Sequence, residues 1–320
     1  MPGQLLSQLV LQMHHPVKGW VDCALIDLDQ PQRGPKGAVT IRYLDDYVTD
    51  DPQIEFLGTP GWPAAWMQVP LELAQNYRFE TWPVFFMDIV PTGAAWHYWS
   101  GHFDVAGSAR EAHFLQNAVI APIGNLRIKE AIKKVGSEGL PFSLPKSQLA
   151  SLRIALDPQL AKGVGAGGDA PKVLVRLSQD QQTAWIDDGT YTQSPDAFYL
   201  VKLARRSSEA ARPSERDRQI LSTEFAYYQE LNDLGFETLD CSSMFLDESG
   251  EEPTLWLPRF DRVWDDEAKQ WQLLGVESIA AVIGQRGLLR HEAVLLALKS
   301  LYQRDPEAFQ DQNFESLVLE

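Results

Sequence analysis

Apolar residues recur along the first half of the chain in short runs, and these runs predict mainly β-structure. Strands are predicted at residues 21–27 and 38–44, joined by the turn-forming segment DQPQRGPKG. The stretch from residue 61 to residue 99 is rich in Trp and Pro, and a helical pattern continues from there to about residue 118. The first half is therefore predicted to be rich in strands.

The second half has the pattern of a small sheet with one long helix. Five short apolar runs predict strands, at residues 173–177, 181–186, 197–204, 243–246 and 254–257. Between the third and fourth of these, Leu221, Phe225 and Tyr228 recur at helical spacing and predict a helix over residues 218–234, ended by Gly235. The last third of the chain is predicted to be helical, so the fold class is α+β.

A change of character near the middle of the chain predicts a domain boundary. The segment LPFSLPKSQ, at residues 140–148, holds two Pro and two Ser and is predicted to be a linker. A chain of 320 residues is long enough for two domains.

The net charge and the number of cysteines limit the partners and the cellular compartment that can be expected for this protein. The formal net charge of -16 argues against direct binding to nucleic acid, because phosphate contacts need an excess of Lys and Arg. Two distant cysteines, Cys23 and Cys241, form no disulfide framework, so a reducing, cytoplasmic environment is expected. The N-terminal segment is not predicted to be a signal peptide, and no apolar run reaches about 18 residues, so no membrane partner is expected.

A glycine-rich segment and two lysines predict a site for an anion. Gly167 and Gly168 precede Lys172, and consecutive glycines let backbone N–H groups approach an anion closely. The order of residues matches neither a Walker A loop nor a dinucleotide fingerprint. Lys202 lies in the apolar run YLVKLA, where the lysine of a kinase-type lobe reaches nucleotide phosphates. The alternatives are a plain glycine turn and a lysine at a sheet edge with its ammonium in water.

Two further features follow Lys202 in order. Glu224 falls in the predicted helix, where a kinase-type lobe needs a carboxylate to hold its lysine; a surface glutamate is the alternative. LWLPRFDR, at residues 255–262, predicts a hinge whose backbone pairs with an adenine edge; an ordinary strand with a surface ion pair is the alternative. Each feature is weak alone, but all four occur in the order of a kinase N-lobe.

These segments together resemble the HipA-like toxin kinases. AGGDAPK is similar to the family's glycine-loop motif, YLVKLA to its lysine strand, and TEFAYYQELNDLGFE to the helix that follows. LPRFDR resembles the family's ERFDR segment, and FFMDIVPTGAAWHYW and PIGNLRI resemble segments of its first half. The resemblance covers most of the chain from about Trp20 onward.

The resemblance implies a serine/threonine protein kinase, a transferase, that is the toxin of a bacterial toxin–antitoxin pair. Such kinases bind ATP with Mg²⁺ and are neutralised by a small helix-turn-helix antitoxin. The implied regions are a HipA-like N-terminal domain at 1–148, a kinase-like nucleotide-binding lobe at 149–262 and an incomplete helical C-lobe at 263–320. The implied nucleotide-binding residues are Gly167, Gly168, Lys172, Lys202, Glu224, Leu257, Pro258, Arg259 and Phe260.

The family's catalytic loop, D-x-H-x-K-N, has no counterpart in this sequence. Its Asp positions the substrate proton, and its Asn, with a later Asp, holds Mg²⁺. His291 is the only histidine after Arg262, and it lies in a helical pattern without the neighbouring Asp and Asn. We therefore expect a truncated kinase with neither catalytic nor metal-binding residues, inactive alone. The alternative is a non-catalytic protein that binds an antitoxin or an intact kinase.

Overall fold

In the part of the chain that the structure describes, the strands pair in antiparallel fashion and form two main sheets and a small hairpin sheet. The computed structural model describes residues 4–49, 64–93, 95, 96, 99, 100, 107–135, 143–151, 171–187, 189, 193–205, 213–250 and 252–304. Within these ranges the strands are β1 Gln8–His15, β2 Gly19–Leu28, β3 Val39–Tyr43, β4 Tyr77–Phe79, β5 Leu126–Ile128, β6 Ser143–Pro145, β7 Lys172–Leu177, β8 Thr183–Ile186, β9 Ala197–Leu203, β10 Phe245–Asp247, β11 Thr254–Pro258, β12 Arg262–Asp265 and β13 Gln270–Leu273.

Helices connect and cover the sheets, so the fold is mixed α/β. The α-helices are α1 Asp45–Thr49, α2 Phe86–Ile89, α3 Ala109–Ala118, α4 Lys129–Val135, α5 Glu215–Asp233, α6 Ile279–Ile283 and α7 His291–Arg304. Two 3₁₀ segments span Pro31–Lys36 and Lys146–Ser151. Over the described ranges, no helix combines the length and apolar character that a membrane crossing requires.

The first sheet has the strand order β4-β3-β2-β1-β5. β2 and β3 confirm the two predicted strands, but the sequence analysis missed β1, which pairs with both β2 and β5. Leu9, Leu11 and Met13 alternate along β1 and are buried, and this period of two is the signal for a strand with one face in the core.

The second sheet has the strand order β10-β11-β9-β7-β8-β6. The linker predicted at residues 140–148 is not a linker over its described part, because β6 pairs with β8 and forms the edge of this sheet. Pro145 is compatible with that position, since an edge strand does not need every backbone N–H for pairing. The two main sheets are thus built from residues 8–128 and 143–258.

Helix α3 lies between the two sheets and is buried on both sides. Phe114 and Ala118 belong to the apolar core beneath the second sheet, whereas Ala112 and Leu115 belong to the core of the first sheet. Trp99 is buried with the former set. Every residue of α3 from Ala112 to Ala118 is buried, and because its apolar side chains are shared between the two cores, α3 ties them together.

The chain returns to the first sheet after the second sheet is complete. Ala281 of α6 is fully buried in the first core. The backbone N–H of Ser278 donates to Asp88 at 2.9 Å, and that of Met67 donates to Glu277 at 2.9 Å. Residues after β13 therefore cover the first sheet before α7 begins.

Candidate functional site

Helix α5 carries one of the predicted site residues, and its two ends are fixed by local chemistry. The Ser214 hydroxyl accepts a hydrogen bond from the backbone N–H of Asp217 at 3.1 Å, so the helix begins at Glu215, three residues before the predicted start. At the other end Gly235 has φ +84°, and the N–H of Phe236 donates to the carbonyl of Leu231 at 3.0 Å. This is the Schellman arrangement in which a left-handed glycine ends a helix.

One face of α5 packs on the second sheet. Leu221 is buried, and Phe225 and Tyr228 pack against the same apolar cluster, which includes Leu255 and Leu257 of β11. The spacing of Leu221, Phe225 and Tyr228 corresponds to one helix face, and Glu224 falls on that face. Packing of the apolar residues therefore directs the Glu224 carboxylate toward the sheet.

Lys202 meets Glu224 across this interface. It lies on β9, a central strand that pairs with β7 on one side and with β11 on the other. Its Nζ forms an ion pair with Oε1 of Glu224. The two side chains are 19% and 27% exposed, so the pair lies at the border of the core and is accessible to a small ligand.

A second lysine lies beside the first. Lys172 is directly opposite Lys202 in the register of β7 and β9, and directly opposite residues project on the same face of a sheet. Two ammonium groups on adjacent strands concentrate positive charge, which favours an anion at this place. Gly167 and Gly168, the predicted glycine-loop residues, lie outside the described residues, so their role stays a prediction.

The predicted hinge segment, residues 257–260, comprises the last two residues of β11 and the two residues that follow it. Leu257 and Pro258 pair with β9, whereas β10 pairs with β11 only as far as Trp256. Of the pairings within the described residues, none therefore engages the outer edge of β11 at Leu257 and Pro258. Phe260 is 56% exposed. Because the Arg259 N–H bonds to Phe198 of β9, the alternation along the strand turns the Leu257 backbone groups toward β9 and leaves the Pro258 carbonyl on the outer edge.

The charged residues of LPRFDR do not form a surface ion pair, which was one interpretation of the sequence. Arg259 is buried: its Nε donates to Asp261 at 2.6 Å, and its Nη1 donates to Asp187 at 3.1 Å. Its backbone N–H donates to the carbonyl of Phe198 at 2.9 Å. The guanidinium of Arg259 is thus directed into the protein, and a ligand at the hinge would meet other parts of the segment.

Four charged side chains form this buried group, which we call the Asp261 cluster: Asp187, Arg259, Asp261 and Arg262. Their side chains are at most 3% exposed. Burial and repulsion by Arg259 lower the pKa of Arg262 to about 10. Burial alone would raise the pKa of Asp261, but its hydrogen bonds and ion pairs with the arginines outweigh burial and hold that pKa below its ordinary value. Arg262 and Asp261 are therefore both charged at neutral pH and attract each other.

The Asp261 cluster also contacts the first half of the chain. The backbone N–H of Gly124 donates to Asp261 at 2.6 Å, and Arg262 donates to the carbonyl of Gly124 at 3.2 Å. The sequence analysis did not predict this junction. The only sequence feature that points to this junction is the run of charged residues directly after a buried strand. Such a run looks the same in a sequence whether the side chains are solvated or form a buried network.

Comparison with solved structures identifies the fold. The chain is similar to HipA in the complex of HipA, HipB and operator DNA of the toxin–antitoxin system of Shewanella oneidensis MR-1, with a TM-score of 0.54 and 11% identity. The match covers 89% of this chain and 60% of that chain. No protein-family model and no curated protein matches the sequence. The fold is therefore HipA-like.

Proposed function

We propose that this chain is the ATP-binding portion of a HipA-like serine/threonine kinase toxin. The observation that carries the proposal is the Lys202–Glu224 ion pair on the face of an antiparallel sheet, next to an open hinge edge, in a HipA-like fold. The predicted order of glycine segment, lysine strand, helix carboxylate and hinge supports the same function.

The chemistry of the site fits a nucleoside triphosphate. Lys202, held in place by Glu224, supplies positive charge to phosphate oxygens, and Lys172 adds charge from the neighbouring strand. The Pro258 carbonyl on the outer edge of β11 can accept a hydrogen bond from the amino group of an adenine ring. Bound Mg²⁺ would neutralise phosphate charge, but among the described residues no group of three or more His, Cys, Asp or Glu forms a metal site.

We further propose that the 320-residue chain does not transfer phosphate by itself. Its sequence contains no D-x-H-x-K-N, so the base and the Mg²⁺ ligands that such a kinase uses are missing from it. The similar structure holds HipB and operator DNA, and a helix-turn-helix antitoxin is accordingly the partner that we propose, in the cytoplasm.

The decisive test is ATP binding by the Lys202→Met variant. Removing the ammonium should weaken ATP binding by about 10- to 100-fold, because charge-assisted contacts to phosphate contribute about 1.5–3 kcal/mol. Isothermal titration calorimetry with ATP and Mg²⁺ measures the change. Lys129→Met is the matched control, since Lys129 also forms a part-exposed ion pair, with Asp22, but on the first sheet.

Equal ATP affinity of the wild type and Lys202→Met would contradict the proposed site. Equal losses in Lys202→Met and Lys129→Met would show that the effect is not local to the lysine strand. Transfer of labelled phosphate from ATP by the purified chain would contradict the proposed lack of activity.

The outer face of α5 favours a second function, that of a non-catalytic interaction protein. Ile220, Tyr227 and Leu234 are 51%, 66% and 72% exposed, and a shallow groove of about 460 Å³ runs along the helix next to Tyr227. Exposed apolar residues in a row are typical of a protein-binding surface. A chain that binds a helix-turn-helix antitoxin tightly but has no measurable affinity for ATP would favour this function over the first.

A further inference from the structure

The Asp261 carboxylate immediately follows the hinge segment and holds it through several bonds. Arg259 donates to it with Nε and Nη2, and Arg262 donates with Nη1 at 2.7 Å. Asp261 is fully buried. A buried carboxylate that accepts several charged donors has a single favourable position, because any shift leaves a charged group unpaired in the interior.

The Asp261 carboxylate also accepts a hydrogen bond from the turn that precedes β5 of the first sheet. The N–H of Gly124 donates to Oδ2 of Asp261 at 2.6 Å, and Gly124 belongs to the turn that leads into β5. The N–H of Leu274 donates to the backbone carbonyl of Asp261 at 3.0 Å. Asp187, at the end of β8, completes the contact by pairing with both arginines. Asp261 is thus the point at which the hinge segment, β8 and the Gly124 turn are joined.

The lysine part of the site does not depend on this junction. Lys202 is placed by the pairing of β9 with β7 and β11 and by its bond to Glu224. None of the bonds that the structure shows for these two side chains involves Gly124 or Asp261. The position of the phosphate-binding lysine and the position of the hinge are therefore set by separate contacts.

We propose that Asp261 is a positioning residue for adenine recognition and that it couples the hinge segment to the Gly124 turn of the first half. The proposal rests on the proposed function, since it assigns adenine to the hinge and phosphates to Lys202. A hinge displaced by about 1 Å loses well-directed hydrogen bonds to a base, whereas phosphate contacts to a lysine tolerate the shift. Loosening the contacts of Asp261 should therefore weaken recognition of the adenine base and leave the affinity for the phosphates unchanged.

The test compares ATP with inorganic tripolyphosphate, each with Mg²⁺, by calorimetry on the full chain. Asp261→Asn keeps the shape of the side chain and removes its charge. We expect ATP affinity to fall about tenfold toward that for tripolyphosphate, with tripolyphosphate affinity changed less than twofold. Asp247→Asn is the control, because Asp247 forms a part-buried ion pair with Lys146 in the same sheet and lies opposite Thr254, at the end of β11 away from the hinge.

A second variant tests the junction from its other side and leaves every charge in place. Gly124 has φ +98°, and a Cβ there would lie 3.4 Å from the backbone N of Val276, so Gly124→Ala shifts the turn. The same selective loss of ATP affinity is expected. This variant carries the test if Asp261→Asn does not fold.

The outcomes separate this inference from the proposed function. Losses of equal size for ATP and tripolyphosphate, or unchanged ATP affinity in a folded Gly124→Ala variant, would show that the junction is merely structural and would overturn the inference. Equal wild-type affinities for ATP and tripolyphosphate would also overturn it while leaving the phosphate site in place. A wild-type chain that binds neither ligand would overturn the proposed function itself.

Discussion

His14 on β1 is a buried histidine whose ring meets Trp20 edge-on, with 5.2 Å between the ring centroids. Only 5% of the residue is exposed, and its Nδ1 has no hydrogen-bond partner. Burial, followed by the charges of Arg262 and Arg127, lowers the pKa of His14 to about 4. The folded protein therefore holds this ring neutral at pH values where the unfolded chain protonates it.

The first prediction concerns the dependence of the unfolding free energy on pH below neutrality. A folded-state pKa below the ordinary value of 6.5 means that the His14 contribution is fully present above pH 6.5 and is lost as the pH falls toward 4. The loss amounts to about 3 kcal/mol from the size of the shift. His14→Phe keeps a ring against Trp20 and should flatten the fall in unfolding free energy between pH 6.5 and 4, measured by urea denaturation.

The control for this prediction is His291→Gln. This variant removes an exposed histidine at the start of α7 and gives the slope with which that of His14→Phe is compared. If the stability of His14→Phe falls as steeply as that of the wild type when the pH is lowered, His14 is not the cause of the fall.

At the scale of single residues, local sequence predicted the contact between Lys202 and Glu224, because an isolated lysine in an apolar strand and a carboxylate on an apolar helix face are visible as patterns. It did not identify Asp187 or Gly124 as parts of the hinge junction. Their contacts span 72 and 137 residues along the chain, and no local period records such pairs.

At the scale of elements, α5 shows how local chemistry sets the ends of a helix. The predicted span began at residue 218, yet Ser214 caps the helix and extends it to Glu215. The hydroxyl satisfies the N–H of Asp217, which would otherwise have no partner in the first turn.

The second prediction is that Ser214→Ala lowers the unfolding free energy by about 1 kcal/mol, the ordinary cost of losing an N-cap. Urea denaturation followed by circular dichroism measures the change. Ser222→Ala, the same substitution in the interior of α5, should be neutral or slightly stabilising, since alanine has the higher helix propensity. ATP affinity should not change in either variant, and a loss of stability of equal size in both would rule out the cap as the cause.

β1 and β6 show the limits of prediction for strands. The alternation of Leu9, Leu11 and Met13 predicts β1 once it is read with a period of two. β6 has three residues, Ser143–Pro145, too few for a period, and it is a strand because β8 offers a free edge to pair with. Its existence depends on tertiary structure.

At the scale of the whole molecule, the two sheets share the buried helix α3 and the Asp261 cluster. Phe114 of α3 is fully buried in the second core, Leu115 of the same helix lies in the first core, and α6 brings the chain back to the first core. A helix whose residues belong to both cores couples the unfolding of the two halves.

The third prediction follows from this coupling. Phe114→Ala should lower the unfolding free energy by about 3–5 kcal/mol, because it removes a large side chain from a packed interior. Both halves should still unfold in one transition. Fluorine NMR of fluorotryptophan reports each half separately, since Trp82 is buried in the first core and Trp256 in the second.

Phe260→Ala is the control, because this phenylalanine is largely exposed and its loss should change stability by at most about 0.5 kcal/mol. Urea midpoints for Trp82 and Trp256 that differ in the wild type would contradict the coupling of the two halves.

The sequence by itself determined the order of β7, β8, β9, α5, β10 and β11, the facing of Lys202 and Glu224, and the resemblance to HipA-like kinases, whereas the hairpin of β12 and β13 replaces the start of the predicted helical last third. These features depend on residues near one another in the chain, whose periods and turn residues are readable directly. Tertiary structure alone decided the place of β6, the enclosure of α3 and the burial of Arg259 with Asp261. Each of these depends on which distant backbone or charge lies alongside, and a charged residue has the same appearance in a sequence whether water or a buried partner satisfies it.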